Sequence, residues 1–197
     1  KLTLQFFLVT GLSSSATIDS ARDLQITFIG QDSTWKKGAT IDHRVNTISA
    51  LPLIDGKERS HLVIAGDSDG SSCVFLISED GSEDYKNARG FLVPTFNTRP
   101  IICVESVAIS NRILILMGST GGDLELFDLP ASFSQLKDRW ENFASLWNPV
   151  GRYQVHQMGT NTISAQVLSI ETTNGTMRAI VSIVTGGDDQ SICISRV

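Results

Sequence analysis

The sequence predicts an all-β fold in which one antiparallel unit, a meander of short strands, is used several times over. Two observations predict it. The last stretch, His156 to Val197, reads as three strands in series. Apolar runs at Ile163–Ile170, Ala179–Val184 and Ile192–Ile194 are separated by Asn174-Gly175 and by Thr185-Gly186-Gly187-Asp188-Asp189-Gln190-Ser191. Asn-Gly between apolar runs signals a tight hairpin, because both residues tolerate positive φ. The second observation is internal repetition. Asn46-Thr47-Ile48-Ser49-Ala50 recurs letter for letter as Asn161-Thr162-Ile163-Ser164-Ala165, and a histidine precedes each copy, His43 and His156.

The Gly/Asp turns repeat as well. Gly66-Asp67-Ser68-Asp69-Gly70-Ser71, Gly118-Ser119-Thr120-Gly121-Gly122-Asp123 and Gly186-Gly187-Asp188-Asp189-Gln190-Ser191 occupy corresponding places. Each is followed by a short strand, through Cys73-Val74-Phe75, Leu124-Glu125-Leu126-Phe127 and Ile192-Cys193-Ile194.

Composition narrows the functional classes. The chain has 197 residues, is 41% hydrophobic and carries a net charge of -5. Its pI near 5.1 argues against a stand-alone nucleic-acid binder, which shows a basic face. No apolar run approaches the ~18 residues that span a bilayer. The opening Lys-Leu-Thr-Leu-Gln-Phe-Phe-Leu-Val has no Ala-x-Ala cleavage pattern and reads as a strand, and Lys1 suggests a start inside a longer chain. Cys73, Cys103 and Cys193 are odd in number and scattered, as expected of reduced thiols in a cytoplasmic protein.

In chain order, residues 1–42 are expected to be the remains of a preceding unit, with strands at Leu4–Thr10 and Leu24–Ile29. A unit over 43–96 has strands at Val45–Leu53, His61–Ala65 and Ser72–Ile77, then an extended piece, Phe91–Phe96, broken by Pro94. A unit over 97–130 has strands at Ile101–Ile109, Arg112–Met117 and Leu124–Phe127. An inserted helix is expected over 131–150. Ser132 with Gln135 matches a capping box, and Phe133, Leu136, Trp140, Phe143 and Trp147 form one apolar stripe ended by Asn148-Pro149. The final unit is 151–197.

Units of ~40–50 residues with four short strands have the period of a propeller blade. Asp69 and Asp189 then stand where a WD repeat has its structural Asp, Phe127-Asp128 where the Trp-Asp pair would be, and His43 and His156 where a His opens the innermost strand. The fold class predicted is a WD-repeat β-propeller, partial at about three and a half blades, with one inserted helix. Such a number cannot close a ring, so the remaining blades are expected from upstream residues of a longer chain or from another chain.

The last unit resembles the final repeat of the WD-repeat protein six family. The residues that carry the resemblance are Val155-His156-Gln157-Met158-Gly159-Thr160-Asn161-Thr162-Ile163-Ser164 and Val184-Thr185-Gly186-Gly187-Asp188-Asp189-Gln190-Ser191-Ile192. The resemblance implies a non-catalytic scaffold for an FtsJ-type methyltransferase that methylates the 2′-hydroxyl of the tRNA wobble nucleotide. A general WD adaptor without RNA is the alternative.

The remaining motifs have structural readings. The Gly-rich turns lie between strands and lack a following Lys-Ser/Thr, so they are not phosphate loops, and no cofactor is expected. Asp188-Asp189 is better read as a turn than as a cation site, which needs several converging oxygens. Cys73 and Cys193 read as strand thiols, His61 as a blade-edge residue, and Glu79, Asp80, Glu83 and Asp84 as a solvated loop. Asn174-Gly175-Thr176 matches a glycosylation sequon but is better explained as a hairpin turn. Trp35-Lys36-Lys37 is the one basic-aromatic cluster able to meet RNA. Phe133, Trp140 and Trp147 could dock on their own propeller or present a partner surface.

Overall fold

The computed structural model describes residues 6–11, 22–29, 39–41, 44–55, 58–78, 91–93, 99–132, 135–136, 147–174 and 176–197. Within them the chain forms four antiparallel sheets, none of them closed, taken in strict chain order. The first contains β1 (Phe6–Gly11), β2 (Arg22–Ile29) and β3 (Ala39–Ile41). The second contains β4 (Val45–Asp55), β5 (Glu58–Asp67), β6 (Ser72–Ser78) and β7 (Phe91–Val93). The third contains β8 (Ile101–Ile109), β9 (Arg112–Ser119), β10 (Asp123–Pro130) and β11 (Asn148–Gln154). The fourth contains β12 (Thr160–Thr173), β13 (Thr176–Gly187) and β14 (Ile192–Arg196). Every sheet is an up-and-down meander in which each strand pairs with the next in sequence.

The sheets stack in series. β4 lies beside β8 and β8 beside β12, so the first strands of consecutive sheets are neighbours. The second strand of each sheet also touches the first strand of the following one, β5 on β8 and β9 on β12. β1 touches β4 in the same way, which gives β1 the place of a second strand.

Apolar side chains on alternate positions supply the glue between sheets. Leu62, Ile64 and Val74 of the second sheet share a core with Ile113, Ile115, Met117 and Phe127 of the third. Leu114, Leu116, Leu124 and Leu126, on the other face of the third sheet, share a core with Ile163, Val181 and Ile183 of the fourth. A strand covered on both faces needs a continuous apolar run, and Ile113–Met117 is one, buried throughout.

The hairpins follow the residue chemistry. Thr173 pairs with Thr176, the tight register expected of the hairpin, and Asn174 has φ 53°. The three Gly/Asp turns superimpose by register: Gly66 pairs with Ser72, Gly118 with Leu124 and Gly186 with Ile192. Each turn then places a residue at positive φ before the next strand, Gly70 at 84°, Gly122 at 82° and Gln190 at 60°.

The inserted helix does not appear as an element among the described residues. Its expected start is there: Gln135 and Leu136 have helical backbone, Leu136 N donates to Ser132 O at 3.1 Å, and Gln135 N reaches Ser132 Oγ at 3.4 Å. The body of that stretch, with Phe133 and Trp140, lies outside the described residues. Its expected end is a strand, because Asn148–Gln154 forms β11 and pairs with β10. Residues 151–154 therefore belong to the third sheet, whereas the sequence had placed them in the final unit. Among the described residues no helix is long and apolar enough to cross a membrane.

Candidate functional site

Among the described residues, a dense polar constellation joins the loop between β11 and β12 to the turn between β13 and β14. Gly122 accepts from Val155 N and His156 N, each at 3.1 Å, which pins the loop to the third sheet's own turn. A Cβ on Gly122 would lie 2.2 Å from His156 O, so this close approach requires glycine there. Gln154 adds a bond from Nε2 to Gly121 O at 2.9 Å and a second to His156 O.

The His156 ring points inward, and its side chain is fully buried. Nε2 meets Thr185 Oγ1 at 2.9 Å; Nδ1 meets Ser191 Oγ at 2.9 Å and Asp189 Oδ1 at 3.1 Å. Gly187 makes room for it, since a Cβ there would stand 2.5 Å from His156 Cγ. Asp189 closes the ring of bonds. Its Oδ1 accepts from Ser191 Oγ at 2.6 Å and Ser191 N at 3.1 Å, and its Oδ2 from Gln157 N at 2.9 Å. The Ser191 hydroxyl above all, then the Gln157 amide, hold the Asp189 carboxyl well below the usual carboxylate range. A cleft of about 380 Å³ opens over the knot, lined by Gln154, Val155, His156, Gln157, Asp189 and Ser191.

Serine, histidine and aspartate in contact invite comparison with a nucleophilic relay. That relay needs the serine on one ring nitrogen and the carboxylate on the other. Here both contact Nδ1, while Nε2 is held by Thr185. Thr185 and the His156 ring are buried, so the hydroxyl on Nε2 is closed off from solvent. The geometry ties a loop to a turn across 33 positions of sequence.

The other residues singled out by sequence have different fates. His156 and Asp189 are brought together. His43, Trp35-Lys36-Lys37 and the acidic run Glu79–Asp84 lie outside the described residues, as do Phe133 and Trp140. Asp69 is exposed, and its N–H donates to Asp67 Oδ1 at 2.9 Å. Ser71 N donates to the same oxygen at 2.9 Å, so the buried Asp67 carboxylate helps hold the second sheet's turn. Sequence reading passed over Asp67; the signal available was its alignment with Gly187, where a side chain would enter the space His156 fills. In the third sheet Ser119 takes this place, its Oγ accepting from Gly121 N at 3.1 Å. Asp128 of the Phe127-Asp128 pair is bound by Arg112, at 2.9 Å from Nε and 2.6 Å from Nη2.

Trp147 corrects the partner-surface option for that residue. It is 6% exposed and stacks on Phe127, ring centroids 4.7 Å apart, inside the core shared by the second and third sheets. An indole buried there is spent on the molecule's own packing. His61 sits within β5 between Pro52 and Ile77, and Cys193 within β14 opposite Thr185, as Cys73 is opposite Ala65. Cys103 donates to Thr160 O at 2.8 Å, and burial pushes its thiol up to about 12. Among the described residues no three His, Cys, Asp or Glu side chains converge as metal ligands.

No family model matches the sequence, and no curated protein matches it. Among solved structures the chain is similar to "AofleA from Arthrobotrys oligospora", with a TM-score of 0.47 and 15% identity. That similarity covers 89% of this chain and 47% of the other, so the chain spans about half of that protein's length.

Proposed function

We propose that the four stacked meanders are successive blades of a WD-type β-propeller that acts as a non-catalytic scaffold. The observation that carries this reading is the knot of His156, Asp189, Ser191 and Thr185. It spends a buried histidine and a carboxylate on joining one blade's entry loop to its last turn, and the hydroxyl on Nε2, that of Thr185, is buried away from any substrate. The serial contact of first strands, β4 to β8 to β12, supports it.

The partner we assign is an FtsJ-type methyltransferase acting on the 2′-hydroxyl of the tRNA wobble nucleotide. What supports this is the resemblance carried by Val155–Ser164 and Val184–Ile192. The scaffold contributes geometry: it holds the enzyme and sets the anticodon loop before it, so positioning lowers the barrier. The chain's net charge of -5 assigns most of the phosphate contact to the enzyme.

The test is purification of the tagged protein from its own cells, with mapping of tRNA 2′-O-methylation in cells lacking it. The expected result is recovery of an FtsJ-type enzyme together with tRNA, and loss of the wobble methyl group. Consistent absence of both, with methylation unchanged, would give the protein to the adaptor class.

A further inference from the structure

The β12–β13 hairpin runs on past the third strand of its sheet. β14 pairs with β13 over Ser182–Gly186, and Val197 adds one further rung, exchanging two bonds with Val181 at 2.9 and 3.1 Å. Beyond that rung β12 and β13 have only each other as ladder partners, from Ser169 opposite Ile180 to Thr173 opposite Thr176. The register shifts between Val167 and Ser169, where this two-stranded part begins. Among the described residues, Met177 is the last side chain before the tip that packs on the core shared with the third sheet. Opposite and past it, Thr172, Thr173, Asn174 and Thr176 are all exposed. A two-stranded ribbon without apolar cover opens locally at little cost.

Asn174 sits on this tip in a left-handed conformation, φ 53°, and no described residue holds its side-chain amide. The other described asparagines are placed differently. Asn46 Nδ2 donates to Ile101 O at 3.0 Å, and Asn161 Nδ2 donates to Asp188 Oδ1. Asn148 precedes Pro149, whose backbone nitrogen carries no hydrogen. Asn111 is exposed at the β8–β9 turn, but it precedes Arg112, which pairs with Ile109 and whose guanidinium is clamped on Asp128. Asn174 alone in the whole sequence precedes a glycine, Gly175, and a glycine has no side chain to screen its backbone nitrogen.

We propose that Asn174 is a self-modifying site, at which this exposed asparagine converts to aspartate and isoaspartate. The backbone nitrogen of Gly175 bonds to Asn174 Cγ and gives up its proton. The Cγ–Nδ2 bond breaks, and ammonia leaves with that proton. Water then adds to the five-membered imide. Hydrolysis of its bond to Cγ leaves aspartate; hydrolysis of its bond to the main-chain carbonyl carbon leaves isoaspartate, in which the main chain runs through the side chain. Water is the only co-reactant, and nothing is oxidised or reduced. Either product adds a carboxylate to the tip. The isoaspartyl form also lengthens the main chain between Thr173 and Thr176, and makes the tip a substrate for enzymes that methylate isoaspartyl carboxylates. This inference rests on neither the blade reading nor the methyltransferase partner.

Peptide mass mapping of the purified protein, held at mildly alkaline pH for increasing times, tests it. An isoaspartyl methyltransferase with a labelled methyl donor is the probe for the isoaspartyl form. Conversion at Asn174 is expected to be at least about tenfold faster than at Asn111, and Gly175→Ala is expected to slow it by at least about tenfold. A parallel incubation in urea separates the chemistry from the fold. Conversion in urea with Asn174 left intact in the folded protein overturns the proposal, because the hairpin then keeps the amide from attack. Equal rates at Asn174 and Asn111 in the folded protein overturn it too. So does a glycan on Asn174, which blocks the reaction and gives Asn174-Gly175-Thr176 to the sequon reading.

Discussion

At Gln190 the backbone is left-handed, φ 60°, at the turn position that Gly70 and Gly122 hold in the two earlier sheets. An L side chain there costs about 1 kcal/mol or more that glycine does not. Gln190→Gly is therefore expected to raise stability by about 1 kcal/mol in urea unfolding; no change, or a loss, would mean that the side chain makes a compensating contact. One position earlier, Asp189 has its carboxyl held below the usual range by Ser191 and Gln157. A carboxylate with a depressed folded pKa stabilises above its unfolded value, roughly 4, and loses that contribution as pH falls toward the folded one. Asp189→Asn should lower stability at neutral pH and flatten the acid limb below about pH 4. An unaltered acid limb would remove Asp189 from the fold's pH response. The knot was half legible in sequence, because His156 and Asp189 stand at repeated motif positions. Asp67 was hidden by its neighbour: Asp67 and Asp69 share one turn, and spacing alone does not say which carboxylate faces Ser71 N.

Strands were the most legible elements, and the reason is physical. Ile101–Ile109 and Arg112–Met117 are apolar runs bounded by turn residues, and β8 and β9 follow them closely. β11 was missed because Asn148-Pro149 reads as a helix stop. Proline has no N–H for a ladder, yet an outer strand tolerates it, and Pro149 stands opposite Phe127 where the register shifts. Two experiments probe the packing between the third and fourth sheets. Leu126 is 1% exposed and belongs to their shared core. Leu126→Ala should therefore cost about 2–5 kcal/mol in chemical denaturation, against under about 1 kcal/mol for Ile194→Ala at the equivalent open position of the 197-residue chain. Cys103 lies at the same seam, its thiol raised to about 12 by burial. A raised folded pKa contributes stability below the ordinary thiol value near 9 and loses it as pH climbs toward 12. At about pH 8, Cys103 should escape iodoacetamide while the half-buried Cys193 is labelled, as read by peptide mass mapping. Equal labelling would mean that the seam opens readily.

For the molecule as a whole, the repeat was written in the sequence because each sheet meets the next through the same few groups. The recurring Asn-Thr-Ile-Ser-Ala is explained by Asn46 and Ser49, which cross to the following sheet. What sequence could not give was the order of neighbours in space, since an apolar strand looks the same whichever sheet covers it. The account stands on the third sheet lying on the turn glycine of the second, and the fourth on that of the third. Alanine at each glycine, followed by urea unfolding of the 197-residue chain, tests this most directly. Gly66→Ala and Gly118→Ala should each lose about 1–3 kcal/mol, because the added methyl collides with Ile101 or with Cys103 and Thr160, whereas Gly186→Ala should change stability by about 0.5 kcal/mol or less. Equal losses at all three glycines, or the greatest loss at Gly186, would contradict it.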